Sequence, residues 1–398
     1  MNIFATKSRI IITCKKRLSI YVEQEVIELG FTPIRTFATG VELEGTINDC
    51  IRLNLNLRCA SQVLYSLKAF RANSPDDVYE VVIRMPWESW IASNGYLSVT
   101  SNVDHFTVNS NMFVNVKVKD AICDRIRRET AFRPDSGPDL TKAVVNLFWK
   151  EEHAEIFIDT SGETLAKHNY RKIPGKAPML EGLAAATIFA TKWDRKSPFV
   201  NPMCGSSTLA IEAALIATNR RPGLLRTNYS FMHIKEYDET IFSQEYRMLE
   251  EKIKAVDGLK IIASDIDQDA IDISKVNAGL AGVEKLIEFA VGDFETTRLP
   301  QAPGIIYFNP EYGERLGDEI ELEVTYARIG DFLKKKCQGY MGYIFTGNLD
   351  LAKKIGLKAK RRIEFYTSTI DCRLLEYELY AGSKRVVEQA VDKQDSHD

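Results

Sequence analysis

Four short stretches of this chain carry residue types that can do chemistry together. NPMCGSST (201–208) follows an apolar run and opens a helix-like one. Small residues there let backbone N–H groups approach a ligand closely, and a helix N-terminus favours negative charge. ASDID (263–267) sets Asp265 at the end of a strand-like run, where a carboxylate can accept hydrogen bonds from ribose hydroxyls. In VGDF (291–294), Asp293 can accept from the amino group of an adenine. IYFNPEY (306–312) ends a buried-looking strand in an amide, an imino acid, an acid and a ring. The Asn309 side-chain oxygen and the Pro310 carbonyl can both accept from an exocyclic amine on a planar base, and Tyr312 can stack on that base. An amine attacking a methyl donor becomes cationic in the transition state, so two fixed acceptors stabilise that state preferentially. Glu311 can accept from N1–H and N2–H₂ of guanine together, whereas N1 of adenine is itself an acceptor. Asn-Pro-x-Tyr alone does not choose between guanine N2 and adenine N6.

Each stretch also has a plain structural reading. NPMCGSST can be a turn, Asp265 a helix N-cap, NPEY an ordinary strand exit, and Glu311 a solvent-facing replacement. Dinucleotide folds place the ribose acid about 20 residues after the glycine loop. Here 60 residues separate Gly205 from Asp265, so an inserted segment, including RRPGLLR, must intervene.

The elements that position these loops read as strand–loop–helix units. SPFVNPMCGSS leads into TLAIEAALIA, KIIASD into IDQDAIDISKVNAGLAG, and GIIYFNP into a loop and helix, with GYMGYIFTG following. Repeated βα units predict a parallel doubly wound sheet with ligands beyond the strand carboxyl ends. RRIEFYTST and CRLLEYELY predict an antiparallel pair at its edge. The first half has another grammar, α+β. RIIIT, GVELEGT, MFVNVKV and HAEIFIDTSG read as strands. Leu18, Tyr21, Val22, Val26 and Leu29 share a helical face that Gly30 closes. A second helix is predicted near 47–68, with Ile51, Leu55, Val63 and Leu67 among its apolar positions. KDAICDRIRRETAFRP is an amphipathic helix with Arg125, Arg127 and Arg128 off its apolar stripe. IPGKAP (173–178) marks the join between the halves, and SKRVVEQAVDKQDSHD is a polar tail.

Composition bounds what these loops can serve. At 398 residues, with 45% hydrophobic and 27% charged content, the chain fits two domains of an ordinary globular protein. No apolar run approaches the ~20 residues of a membrane span, and the start has no signal-peptide pattern. Seven scattered cysteines without a CxxC pair and five dispersed histidines argue against structural zinc and a disulfide framework, and for a reducing cytoplasm. Residues 1–150 carry 19 basic and 16 acidic side chains, the rest 33 and 39. That asymmetry is compatible with a mildly basic binding domain on an acidic catalytic one.

With these segments in order, the chain resembles the THUMP-domain class I methyltransferases that use S-adenosylmethionine. It is similar in particular to the N-terminal half of the bacterial large-subunit ribosomal RNA guanine-N2 methyltransferases and their stand-alone relatives. The resemblance rests on LRCASQVLYSL, VKDAICDRIRRETAFRP, IDTSGETLAKHNYR, KAPMLEGLAAA, NPMCGSSTLAIEAALIA, SDID, NAGLAGV and NPEYGERLG. It implies a Rossmann-like methyltransferase domain at 181–384, preceded by a ferredoxin-like and THUMP RNA-binding region at 1–162. A linker at 163–180 joins them, and a tail at 385–398 follows. It further implies that S-adenosylmethionine is held by Pro178, Asn201, Pro202, Met203, Cys204, Gly205, Ser206, Ser207, Thr208, Asp265, Ile266, Asp267, Asp293, Phe294 and Asn309. S-adenosylhomocysteine would be the product, and no metal is implied. The acceptor amine would meet Asn309, Pro310, Glu311 and Tyr312. RNA would be bound through Lys15, Lys16 and Arg17 or through Arg125, Arg127 and Arg128, with no membrane partner.

The chain departs from the family pattern at Asn201 (usually Asp), Ser207 (usually Gly) and Glu311 (usually Pro). Ser207 would cost on the order of 1 kcal/mol if it sits at positive φ. The implied activity is methylation of a guanosine N2 amine in 23S ribosomal RNA. A transfer RNA guanosine, or a catalytically weakened RNA-binding protein of ribosome assembly, stand as alternatives.

Overall fold

The computed structural model of the chain describes residues 3–173, 178–313, 319–367 and 370–380. The expected tail 385–398 and part of the NPEYGERLG stretch lie outside them. Backbone contacts divide the chain into two units. One comprises the chain up to Tyr170 with Leu180–Ala186 and Asn219–Lys254; the other comprises Arg171–Met179, Thr187–Thr218 and the chain from Ala255 onward.

In the first unit an isoleucine run makes β1 (Ser8–Thr13), and α1 (Ser19–Glu28) is closed by Gly30 at φ +83°. β2 (Arg35–Phe37) and β3 (Gly40–Gly45) follow. α2 (Ile47–Asn56) opens on a capping box, in which Thr46 and Asp49 satisfy each other's backbone N–H groups. The helix expected to reach residue 68 stops there. Leu57 turns extended, and Gln62–Arg71 is β4, paired with β1 on one side and with β8 (His153–Asp159) on the other. Between them run α3 (Pro75–Val82), β5 (Tyr96–Asp104), α4 (Asn111–Thr130), β6 (Asp135–Ser136) and β7 (Ala143–Lys150). MFVNVKV, expected as a strand, is instead the start of α4. Its alternation of apolar residues is misleading, because Val114, Val118 and Ile122 are buried at helical spacing while Met112 and Val116 are exposed. The eight strands order as β2-β3-β1-β4-β8-β7-β5-β6.

α5 (Glu181–Phe189), whose residues up to Ala186 are assigned to the first unit, leads to β9 (Phe199–Pro202) and α6 (Thr208–Ala217) of the second unit. The chain then gives α7 (Glu239–Glu251) to the first unit. It returns as β10 (Ile261–Asp265), α8 (Gln268–Leu280), β11 (Ile287–Val291), β12 (Gly304–Phe308), α9 (Glu319–Lys336), β13 (Tyr340–Thr346), α10 (Leu349–Lys354), β14 (Arg361–Thr367) and β15 (Ile370–Glu378). The sheet order is β11-β10-β9-β12-β13-β15-β14. Its first five strands are parallel, and β15 pairs antiparallel with both β13 and β14, as the last two apolar stretches predict. One core cluster covers β12 and β13 with Phe294, Phe308, Tyr326, Phe332 and Leu333. Winding reverses at β9, with β10 on one side and β12 on the other. That arrangement opens a crevice beyond their carboxyl ends.

Candidate active site

The loop after β9 is set by three residues at positive φ, Met203 (54°), Gly205 (54°) and Ser207 (58°). The Gly205 peptide is held from both sides. Its N–H donates to Asp265 Oδ2 at 2.8 Å, and its C=O accepts from Ser274 Oγ at 2.9 Å. The Cys204 N–H donates to the Ser264 carbonyl at 3.0 Å. A Cβ built on Gly205 would meet nothing within 4 Å, so this fixed peptide faces open space. That is the fit a ligand needs to approach the main chain closely. Burial pushes the Cys204 thiol up to about 12, which makes it a packing residue and not a nucleophile. Pro202, Ser206, Ser207 and Thr208 are buried, and half-buried Met203 packs on the core. Ser207 occupies the left-handed region and thus bears the strain foreseen for it, on the order of 1 kcal/mol. Arg171 donates to the Met179 carbonyl at 2.7 Å and to Thr208 Oγ1 at 3.3 Å. The segment carrying half-buried Pro178 is thereby laid at the start of α6. Neither Arg171 nor Ser274 stands out in the sequence, because each acts through a distant partner.

Asn201 ties two strands together. It is fully buried, and its Nδ2 donates to the Tyr307 carbonyl at 2.9 Å. The β9–β12 ladder consists of Phe199–Ile305 and Val200–Ile306, so the amide ties the strands where the ladder ends. The carboxylate usual in the family has no hydrogen to donate there. Asp265 is not the helix cap of its structural reading. Asp267 caps α8 by accepting the Asp269 N–H at 2.9 Å through one of its oxygens. Asp265 Oδ1 accepts the Asp267 N–H at 3.1 Å. A carboxylate has about four lone-pair sites, so Asp265 keeps capacity for further donors. Ile266, 73% exposed, presents an apolar surface beside it.

Asp293 caps a short helical turn through the Glu295 N–H at 2.9 Å, and Arg328 on α9 donates to both its oxygens at 2.9 and 2.8 Å. Burial alone would raise the Asp293 carboxyl. The Glu295 and Arg328 hydrogen bonds outweigh it and hold the group below the usual carboxylate range. Phe294 packs inward. Its ring is buried edge-to-face against Phe308 and Phe332, with the Arg328 guanidinium 4.9 Å above it.

At the end of β12, Asn309 is half-buried, Pro310 buried, Glu311 exposed and Tyr312 half-buried. The Tyr312 ring lies over Gly347, where a Cβ would come within 3.0 Å of two ring carbons. Gly347 therefore makes room for the ring, a role that nothing local in the sequence marks.

The basic residues expected to meet RNA separate. Arg125 is gripped by Glu88 through two bonds of 2.9 and 2.6 Å with its side chain 18% exposed. The Arg125 hydrogen bond also holds Glu88 below its ordinary range. Arg125 is therefore committed to Glu88 in this structure. Arg128 pairs with Glu129 at 3.1 Å, and it, Arg127, Lys15, Lys16 and Arg17 are all exposed. In IDTSG, Asp159 Oδ1 accepts the Ser161 and Gly162 N–H groups at 2.9 and 3.1 Å, and burial pushes its carboxyl up to about 7. That motif builds a turn. Among the described residues no group of three or more His, Cys, Asp or Glu side chains could hold a metal ion, and no helix is long and apolar enough to cross a membrane.

A sheet of this order, with a glycine loop after one central strand, an acid after its neighbour and Asn-Pro-x-Tyr after the other, defines the class I methyltransferase fold. A ferredoxin-like and THUMP region precedes it. The chain belongs to the RMKL-like methyltransferase-domain family, whose model matches residues 168–376. The RlmL ferredoxin-like domain matches residues 9–64 and the THUMP domain residues 72–159. Among curated relatives, the ribosomal RNA large subunit methyltransferases K/L of Syntrophotalea carbinolica and Allochromatium vinosum are each 32% identical over 92% of this chain, which covers 53% and 51% of their lengths. The chain thus spans about half the length of the curated relatives it matches. Two crystal structures superpose with a TM-score of 0.85 at 29% identity. One is described as a possible methylase from Clostridium difficile 630 (95% of this chain, 100% of that one), the other as a predicted N6-adenine-specific DNA methylase from Listeria monocytogenes (94% and 97%). A third, described as a candidate methyltransferase complexed with S-adenosylhomocysteine, shares the fold at TM-score 0.85 and 24% identity, over 95% of this chain and 99% of that one.

Proposed function

We propose that this chain transfers a methyl group from S-adenosylmethionine to the exocyclic N2 amine of a guanosine in large-subunit ribosomal RNA. The observation that carries the proposal is the adjacency of two loops. The open Gly205 peptide and Asn309-Pro310 stand at the carboxyl ends of neighbouring strands β9 and β12. When bound, S-adenosylmethionine supplies an electrophilic methyl group on a sulfonium. Asp265 accepts from ribose hydroxyls, Ile266 covers an adenine face, and Asp293, oriented by Arg328, accepts from the adenine amine. The Asn309 side chain and Pro310 carbonyl accept from the nucleophilic amine and stabilise its developing positive charge. Tyr312, seated on Gly347, stacks on a base drawn out of its RNA. Exposed Glu311 accepts from guanine N1–H and N2–H₂ and disfavours adenine, whose N1 would face the carboxylate. The K/L names of the relatives support ribosomal RNA as the substrate, and the THUMP match supports RNA binding by the first unit.

Nucleoside mass spectrometry of ribosomal RNA from a deletion strain tests this. Loss of one N2-methylguanosine, restored by the wild-type gene and not by Glu311→Gln, is expected. An unchanged nucleoside pattern, or loss of a methylated adenosine, would refute it. A second reading, an assembly protein with weakened transfer, draws on the strained Ser207. It predicts RNA binding with no S-adenosylhomocysteine binding in calorimetry.

A further inference from the structure

The segment that separates Gly205 from Asp265 is bonded into the first unit. Asn228 Nδ2 donates to the Thr141 carbonyl at 2.8 Å, and Ser230 Oγ accepts the Val144 N–H at 2.9 Å. The Phe231 N–H reaches the Thr160 carbonyl at 3.1 Å, and the Lys235 N–H reaches that of Trp90 at 2.8 Å. Arg226 adds a bond to the Ser161 carbonyl at 2.8 Å. With these ties the segment forms one wall of a cleft of about 460 Å³. Asn94, Tyr96, Asp135 and Lys142 line the side that matches the THUMP model or directly adjoins β7, and His233 and Lys235 line the other.

We infer that this cleft binds one nucleotide of the substrate RNA, with its phosphate on Lys142 and Lys235 and its base against Tyr96, Asn94 and Asp135. The inference rests on the RNA-methylation reading and adds a contact site to it. Lys235 Nζ donates one hydrogen to the neutral Glu88 carbonyl at 2.8 Å, which leaves its charge uncompensated there and two hydrogens for a ligand. The Glu88 carboxylate is taken by Arg125 and cannot quench it. Lys142 is exposed, and its charge adds to burial in lowering His233. Tyr96 is fixed by its hydroxyl, which accepts the Asp139 N–H at 3.0 Å. Asp135, the lining acid, repels a phosphate but accepts from base amino and imino groups. Donors for an anion, an aromatic ring, and an acceptor for base edges together suit a nucleotide. The volume suits one splayed nucleotide and not a duplex. His233 Nε2 is bonded to Asn228 Oδ1 at 2.8 Å, so its part is to hold the wall.

The test uses the full chain and an in-vitro transcript of large-subunit ribosomal RNA, with affinity measured against salt. Lys142→Glu with Lys235→Glu should weaken RNA binding at least about tenfold near 0.1 M salt and lower the salt slope by about 0.7–0.9, the worth of the one phosphate contact. S-adenosylhomocysteine affinity should stay unchanged. A charge-matched control, Lys7→Glu with Lys150→Glu, should lose markedly less. Should the reversals unfold the protein, Lys142→Gln with Lys235→Gln reads the same loss at smaller size. Unchanged RNA affinity in either cleft variant, or equal loss in the control, overturns the inference and leaves the methylation reading intact. If GMP occupies the cleft and RNA fails to displace it, the site serves a free nucleotide and the RNA assignment falls. If the wild-type chain binds no RNA, the methylation reading fails and the inference falls with it.

Discussion

The loops after β9 and after β12 stand on neighbouring strands and are built in opposite ways. In the first, the Gly205 peptide is bonded at both ends, Cys204 is tied to Ser264, and Ser206, Ser207 and Thr208 are buried. In the second, Glu311 is exposed, Asn309 and Tyr312 are half-buried, and the tyrosine ring rests on a glycine. A donor of constant shape rewards a cradle whose ordering cost is met during folding. A base extracted from a large RNA needs an open approach and a surface to stack on. On the proposed function, rigidity is thus concentrated in the loop that would meet the unchanging donor.

The contrast breaks most sharply at Asp265. Asp265→Ala removes both the tie to Gly205 and the proposed ribose acceptor, so S-adenosylhomocysteine affinity should fall by about 1.5–3 kcal/mol, roughly 10–150-fold. Calorimetry on the folded variant checks this, and unchanged affinity would mean that the bond to Gly205 matters little to the donor. Tyr312→Ala should show the complementary pattern. Its kcat/KM toward RNA should drop by about 1–3 kcal/mol, the worth of one stacked base, with donor affinity intact. A loss of donor affinity instead would show the two loops to be one unit.

Gly347→Ala sharpens the comparison from below. Its methyl would press on Tyr312 at 3.0 Å and on Ile370 at 2.8 Å, so activity toward RNA should fall several-fold while donor binding holds. In a Tyr312→Ala background the same change should cost no further activity. Ser207→Gly has the smallest expected effect, a gain in stability of up to about 1 kcal/mol from relief of the left-handed backbone. Denaturant titration would read it, and a loss would show that packing of the buried serine side chain outweighs the strain.

Much of this molecule is written locally. The βα units around NPMCGSST, SDID and NPEY, the antiparallel edge pair and the glycine stop after α1 follow from periodicity and turn chemistry within a few residues. Such features survive wherever the segment is placed. Other features hang on partners that lie far along the chain. MFVNVKV alternates like a strand, yet burial of Val114, Val118 and Ile122 makes it a helix. Asp265 and Asp267 are two residues apart and equally able to cap α8, until the Gly205 N–H, 60 positions away, claims Asp265. Arg125 resembles its neighbours Arg127 and Arg128 until Glu88, 37 positions away, takes its guanidinium. Residues 219–254 sit amid methyltransferase segments and fold with the first unit. The sequence by itself therefore determined which residue types stand at which strand ends. Only the tertiary structure decided which of them remain open to a ligand, because a hydrogen-bonding group committed to a distant partner looks the same in sequence as one left free.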